Sequence, residues 1–391
     1  MDRRGFLVRV AYLGGMACRL GLLGPLLPRI SLGGAARSPP YWLVSGEANP
    51  PGFDELDPSQ VPDVLTHLVY WHSSWDQIRR VECPYPIHSV LHHPSRPGEW
   101  ICYSLRKPWA AAFSVRTKAF TRIYPSKGRL FYGHGCFDSG GKIYYSSEQA
   151  FGSRKSGAIV ARDARTHQIL FETPSGGSGP HDLRFHAASG KILACNTDPN
   201  LRHSRSSLAA IDLRRRAARV LYTEKNPRIR LRHLELTGSD RLVILPQIKT
   251  SFSDSELRPV PYFGTLRGDH LALLTGGIAP ELAGKFLSEQ LLSVVIDEQG
   301  RECAITCPSG GSITRWALED GRFLGGEEFA GAMPLAPAPG SMAIAAGSSQ
   351  PDIPLRILHD PMGNQSRLRK LAGFTGSHLI MIPDSEGIGS S

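Results

Sequence analysis

Beyond residue 40 the chain alternates short runs of β-branched, aromatic and other apolar residues with clusters of Gly, Ser, Asp and Pro. In "YGHGCFDSGGKIYYSSEQ", residues 132–149, an apolar run meets the turn "DSGG" and a second run follows. "GPHDLRFHAASGKILACNTD", residues 179–198, repeats that order around "AASG", and "RHLELTGSDRLVILPQ", residues 232–247, around "TGSD". A third run then closes near an Asp, as in "VARDART" and "AAIDLRR". Gly- and Asp-rich turns between β-prone runs predict antiparallel meanders.

The meander repeats. Units begin at His88, His134, His181 and His233, at intervals of 46, 47 and 52 residues. A period of that size is one four-stranded propeller blade. Further units in "LLSVVIDEQGRECAITCPSGGSITRWALEDGRFLGG" and "PLAPAPGSMAIAAGS" bring the count to about seven. The opening run "YWLVSGE" and the closing run "SHLIMIP" would complete one another's blade and remove open sheet edges. The expected fold class is therefore all-β: a single seven-bladed β-propeller over residues 37–391. A short helix at 279–290 would decorate one face, and the Pro- and Asp-rich stretch 47–66 reads as a loop.

Residues 1–36 break the pattern. Arg3 and Arg4 precede Gly-Phe-Leu, a mostly apolar stretch and then small residues around Gly33–Ala36. That order is a twin-arginine export signal, which predicts a periplasmic protein. Arg19 and Arg29 interrupt the apolar run, so a stable membrane span is not expected.

Charge changes the picture little. The formal net charge is +10, and five arginines against one acid in residues 1–36 account for +4 of it. The remaining excess is mild, and no Lys/Arg block is interleaved with aromatics, so a nucleic-acid partner is not expected. Cys83, Cys102, Cys136, Cys195, Cys303 and Cys307 are dispersed without a C-x-x-C pair and read as small buried residues. Cys303 and Cys307 would share one strand face.

The recurring histidine carries the chemistry. Unit heads lie near the central channel of a propeller, so His88, His134, His181 and His233 could converge on a transition metal such as copper, iron or zinc. The competing reading is structural, each imidazole hydrogen-bonding a neighbouring blade. Strand alternation also argues against one shared face: His181 alternates with Leu183 and Phe185, but His233 with Glu235. Glu148 and Asp182 would hold imidazole tautomers from behind. An alternative is a lactonase-like, metal-dependent hydrolase with calcium in an oxygen cage of Glu148, Asn196 and Asp198. Neither a G-x-S-x-G elbow nor H-E-x-x-H is present, which removes two common hydrolase solutions. A third reading is a plain protein-interaction scaffold.

"RRGFL", "IHSVLHHP", "LRKPW", "GHGCFDSGGKIYYSSE", "GSGPHDL", "RLRHLEL" and "TCPSGGSITRWALEDGRFLGG" follow one another in an order that resembles domain-of-unknown-function family 1513. The resemblance implies a periplasmic seven-bladed propeller and a role in metal or iron handling. It also implies possible imelysin-like or di-haem peroxidase-like protein partners. The family's polar positions carry over onto His88, His134, Glu148, His181, Asp182, Arg232, His233 and Gln247. Asp182 stands where the family usually has Glu, and Ser309 where Arg is common, which marks a divergent member. The function expected is a non-catalytic binding protein with a His-lined central site.

Overall fold

The computed structural model describes residues 40–47, 66–152, 157–197, 205–238, 240–248, 257–297, 299–337, 344–358 and 371–384. The expected export segment, most of the 47–66 loop and Asp198 lie outside these residues.

Seven antiparallel sheets form the blades of a propeller. Six have four or more strands, and the seventh, built from Ala332–Pro337, Ile344–Ser348 and Arg356–Leu358, has three among the described residues. The first blade joins the two ends of the chain. Its innermost strand is Leu379–Pro383, paired antiparallel with Tyr41–Gly46 in the register Leu43↔Met381. Thr66–His72 and Arg79–Cys83 complete that blade outward. The innermost strands of blades two to six are Ser89–His93, Arg129–Phe137, Pro180–His186, Ile229–Leu236 and Val294–Ile296. A short strand, Leu105–Lys107, also pairs with the inner strand of blade three.

The second and third strands of each blade are the most buried, as expected for strands covered on both faces by neighbouring blades. Ile192, Leu193, Ala194 and Cys195 are fully buried in succession, as are Val243, Ile244 and Leu245. Outermost strands such as Ala217–Thr223 and His270–Thr275 face solvent. Aromatic residues fill the seam between blades one and two, where Trp42, Tyr70 and Trp100 lie with ring centroids 5.4–6.3 Å apart. The predicted helix is shorter than expected, Pro280–Phe286, and buries Ala283 and Phe286 against blades five and six.

All six cysteines of the described residues are free and buried. Burial pushes the Cys83 and Cys136 thiols up to about 12, so they behave as small apolar residues. Cys303 and Cys307 share one hydrophobic cluster, as their spacing predicts.

Candidate metal centre in the channel

A cavity of about 490 Å³ runs along the propeller axis, and every blade contributes lining residues. Val90, Leu183, Val294, Leu335 and Leu379 line it, together with Arg184, Glu235, His134 and His378. Behind them the imidazoles of His88, His181 and His233 complete a cluster of five. Ring centroids are 5.0 Å apart for His88–His134, 4.9 Å for His134–His181 and 4.7 Å for His181–His233. His378 closes the cluster at 5.0 Å from His88, 4.6 Å from His134 and 5.0 Å from His233.

Alternation along a strand would not produce this convergence; β-bulges do. The pairing of blade four steps from Pro180↔Asn196 to Asp182↔Cys195 and leaves His181 unpaired. Blade five steps from Leu231↔Pro246 to His233↔Leu245 across Arg232, and blade three shifts register across Tyr132–His134. An extra residue re-aims the side chains that follow it. The expectation that His181 and His233 face different ways is therefore corrected by a local irregularity that periodicity does not report.

The glycines flanking His134 are required by the close packing. Gly133 has φ +104°, and a Cβ there would come within 2.6 Å of the His88 ring. Gly135 has the Tyr103 hydroxyl and the Tyr145 carbonyl 2.7 Å from its own Cβ position.

Burial holds the imidazoles of His88, His134, His181 and His378 well below the ordinary histidine range, and neighbouring imidazoles and Arg232 add to the effect. His233 is lowered too, again by burial, against the pull of Asp182. The cluster is thus neutral near pH 7, the state in which a ring nitrogen can ligate. Asp182 is the counter-charge. Burial alone would raise its carboxyl, but Arg184, His233 and the Leu234 N–H bring it down to about 2. Its oxygens lie 3.6 Å from His134 Nδ1 and 3.7 Å from His233 Nδ1, and Arg184 donates to it at 2.6 Å.

With Asp182 facing both Nδ1 atoms, each Nε2 faces inward. The Nε2 atoms of His88, His134, His233 and His378 are buried and lack a hydrogen-bond partner. Leaving such a group unpaired costs about 1–3 kcal/mol each, a cost that an electron-pair acceptor would relieve. Candidate ligand atoms of His134, His233 and His378, and separately of His88, His134 and His181, lie within 4.8 Å of one another. An ion with bonds of about 2.0–2.1 Å holds its ligands within about 4.2 Å of each other, so a small rotation of the rings closes the set. Nitrogen donors of this kind fit copper, iron or zinc and do not fit calcium.

His181 differs from the others. Arg232 Nε donates to His181 Nε2 at 2.7 Å, and Arg232 Nη1 to Gln247 Oε1 at 2.8 Å. That bond occupies the His181 lone pair and puts the ring proton on Nδ1. Arg232 and Gln247 therefore sit beside the site by holding His181.

Glu148 does not support an imidazole. Its carboxylate accepts from Arg162 at 2.7 Å and from Ser146 Oγ at 2.9 Å inside blade three, and from the Ser126 N–H of the preceding turn at 2.8 Å. Asn196 Nδ2 donates to the Ser175 carbonyl at 3.0 Å. The oxygen cage thus has one member spent on a buried ion pair and another, Asp198, outside the described residues.

Sequence reasoning missed His378. Its signal was present: like His88, it stands immediately before the inner strand of its blade. The interval from His233 is 145 residues, which hid it from a search for the repeat.

These features define a seven-bladed β-propeller with a histidine-lined central cavity. The chain belongs to domain-of-unknown-function family 1513, described as a protein of unknown function, whose model matches residues 81–370. No curated protein matches it. Among solved structures it is similar in fold to the hydrazine synthase of Kuenenia stuttgartiensis, with a TM-score of 0.60 and 10% identity over 76% of this chain and 92% of that one. At that identity the likeness concerns the fold alone. Among the described residues no helix is long and apolar enough to cross a membrane.

Proposed function

We propose that the protein is a periplasmic, non-catalytic metal-binding propeller that holds one copper or iron ion in the channel through His134, His233 and His378, with His88 beside them. The observation that carries this reading is the buried, unpartnered Nε2 atoms of His88, His134, His233 and His378, with candidate ligand atoms of His134, His233 and His378 within 4.8 Å of one another. Two of those rings are backed by the Asp182 carboxylate. Metal handling together with an imelysin-like or di-haem peroxidase-like partner is the physiological form of this proposal. The hydrolase reading is weaker, because among the described residues the carboxylate beside the imidazoles, Asp182, is engaged by Arg184 and the Leu234 N–H.

The test is elemental mass spectrometry of protein exported to the periplasm, compared with a His134→Ala/His378→Ala double variant. Near-stoichiometric copper, iron or zinc in the parent, lost in the variant, is the expected outcome. Folded parent protein that remains metal-free after incubation with these ions would sink the proposal and leave an interaction scaffold.

A further inference from the structure

The cavity-lining residues of the inner strands lie at the histidines or beyond them in sequence: Ser89, Gly135, Leu183, Glu235 and Leu379. Residues just before the histidines occupy the other side of the cluster. There Tyr132 precedes His134 by two residues, and Arg230 precedes His233 by three. Tyr132 is 3% exposed, and its ring centroid lies 6.3 Å from that of His181. The Arg106 guanidinium stands 5.8 Å from the centroid of the Tyr132 ring.

These groups are unsatisfied. Tyr132 Oη, Arg106 Nε and Arg230 Nε are all buried without a hydrogen-bond partner. Arg106 is held at φ +55°, in the left-handed region that favours glycine. Gly179, at φ +62°, keeps the space beside the phenol open, since a Cβ there would lie 2.8 Å from Tyr132 Oη. Burial lowers Arg230, the charge of Arg106 lowers it further, and Tyr132 opposes this. Arg232, two residues on, is already committed to His181 and Gln247.

Two partly desolvated guanidiniums held close to one another repel and lose hydration. A ligand carrying negative charge and acceptor oxygens would remove both costs at once. The planar guanidinium fork matches carboxylate and phosphate geometry, and a phenol adds one more donor.

We infer that Arg106, Arg230 and Tyr132 form a receptor for a small oxyanion, of carboxylate or phosphate type, on the side of the histidine cluster away from that cavity. The inference does not rest on metal at the imidazoles. An anion seated there lies beside His181.

Titration calorimetry in low-chloride buffer tests it, with inorganic phosphate and citrate as separate probes. Each is run on chelator-treated protein and on metal-loaded protein, so that failure of the metal proposal leaves this test standing. At least one probe is expected to bind at one site per chain, and the probe that binds identifies the source of the oxyanion. Arg230→Gln and Arg106→Gln should each weaken binding at least tenfold, and Tyr132→Phe about threefold. Arg230→Lys, which keeps the charge without the fork, should recover part of the loss. Circular dichroism and thermal melts confirm that each variant is folded. Absence of binding of both anions at millimolar concentration, or unchanged binding in both glutamine variants, overturns the inference.

Discussion

His92 lines the channel four residues beyond His88. Burial, with His93 beside it, holds its imidazole down to about 4 from an ordinary value of 6.5. Above pH 6.5 it is neutral in both folded and unfolded chains. As pH falls below 6.5 the unfolded chain gains a proton that the fold refuses, and stability declines until about pH 4. With its partial exposure allowed for, the loss is on the order of 1–2 kcal/mol. Urea unfolding at pH 7 and pH 5 is expected to show His92→Gln losing less stability between the two than the parent. An equal loss would place the dependence elsewhere. Asp182 acts on the proposed ion through His134 and His233. Asp182→Asn keeps the shape and removes the charge, and such a change behind a ligand weakens metal binding by about 10–100-fold. Chelator competition measures this; unchanged affinity would show that the carboxylate serves Arg184 alone.

At the scale of elements, the ring depends on one strand from the end of the chain. Leu379–Pro383 pairs with Tyr41–Gly46 and places Ile382 against Trp42 and Trp100. Ile382 is 2% exposed, whereas Ile380, two residues earlier, is only partly buried. Ile382→Ala is expected to cost about 2–5 kcal/mol, and Ile380→Ala distinctly less, by urea denaturation. Equal costs would mean that this strand does not anchor the seam between blades one and two. The same strand delivers His378, so ring closure and assembly of the histidine cluster are one event. The bulges are the other element-scale device. They recur in the inner strands of blades three, four, five and seven. Tyr132 and Arg232 lie within these irregularities.

At the scale of the whole molecule, the seven blades give a closed ring whose axis is the one place where all inner strands meet. Four of the five histidines come from blades two to five, and the fifth comes from the closing strand. A metal gathered there would tie blades distant in sequence, so binding should raise the melting temperature. The proposed periplasmic location belongs to this scale as well. Arg3→Lys/Arg4→Lys is expected to leave the protein in the cytoplasm on cell fractionation. Normal export of that variant would remove the twin-arginine reading without touching the propeller.

The sequence by itself determined the class of fold, because the evidence for it is local. Turn residues such as those of "DSGG" and "AASG" set hairpins, and their repetition at 46 and 47 residues set blades. Joining "YWLVSGE" to "SHLIMIP" followed from the need to leave no open edge. His88, His134, His181 and His233 were visible for the same reason, as members of a repeat. What only the tertiary structure decided was direction and partnership. Bulges turned side chains that alternation assigns to opposite faces toward one axis. Ring closure brought in His378 from 145 residues away. Contacts between blades assigned Arg232 to His181, Asp182 to two imidazoles and Glu148 to Arg162. Periodicity reports how often a residue recurs along the chain, whereas a site depends on which atoms face one another across it.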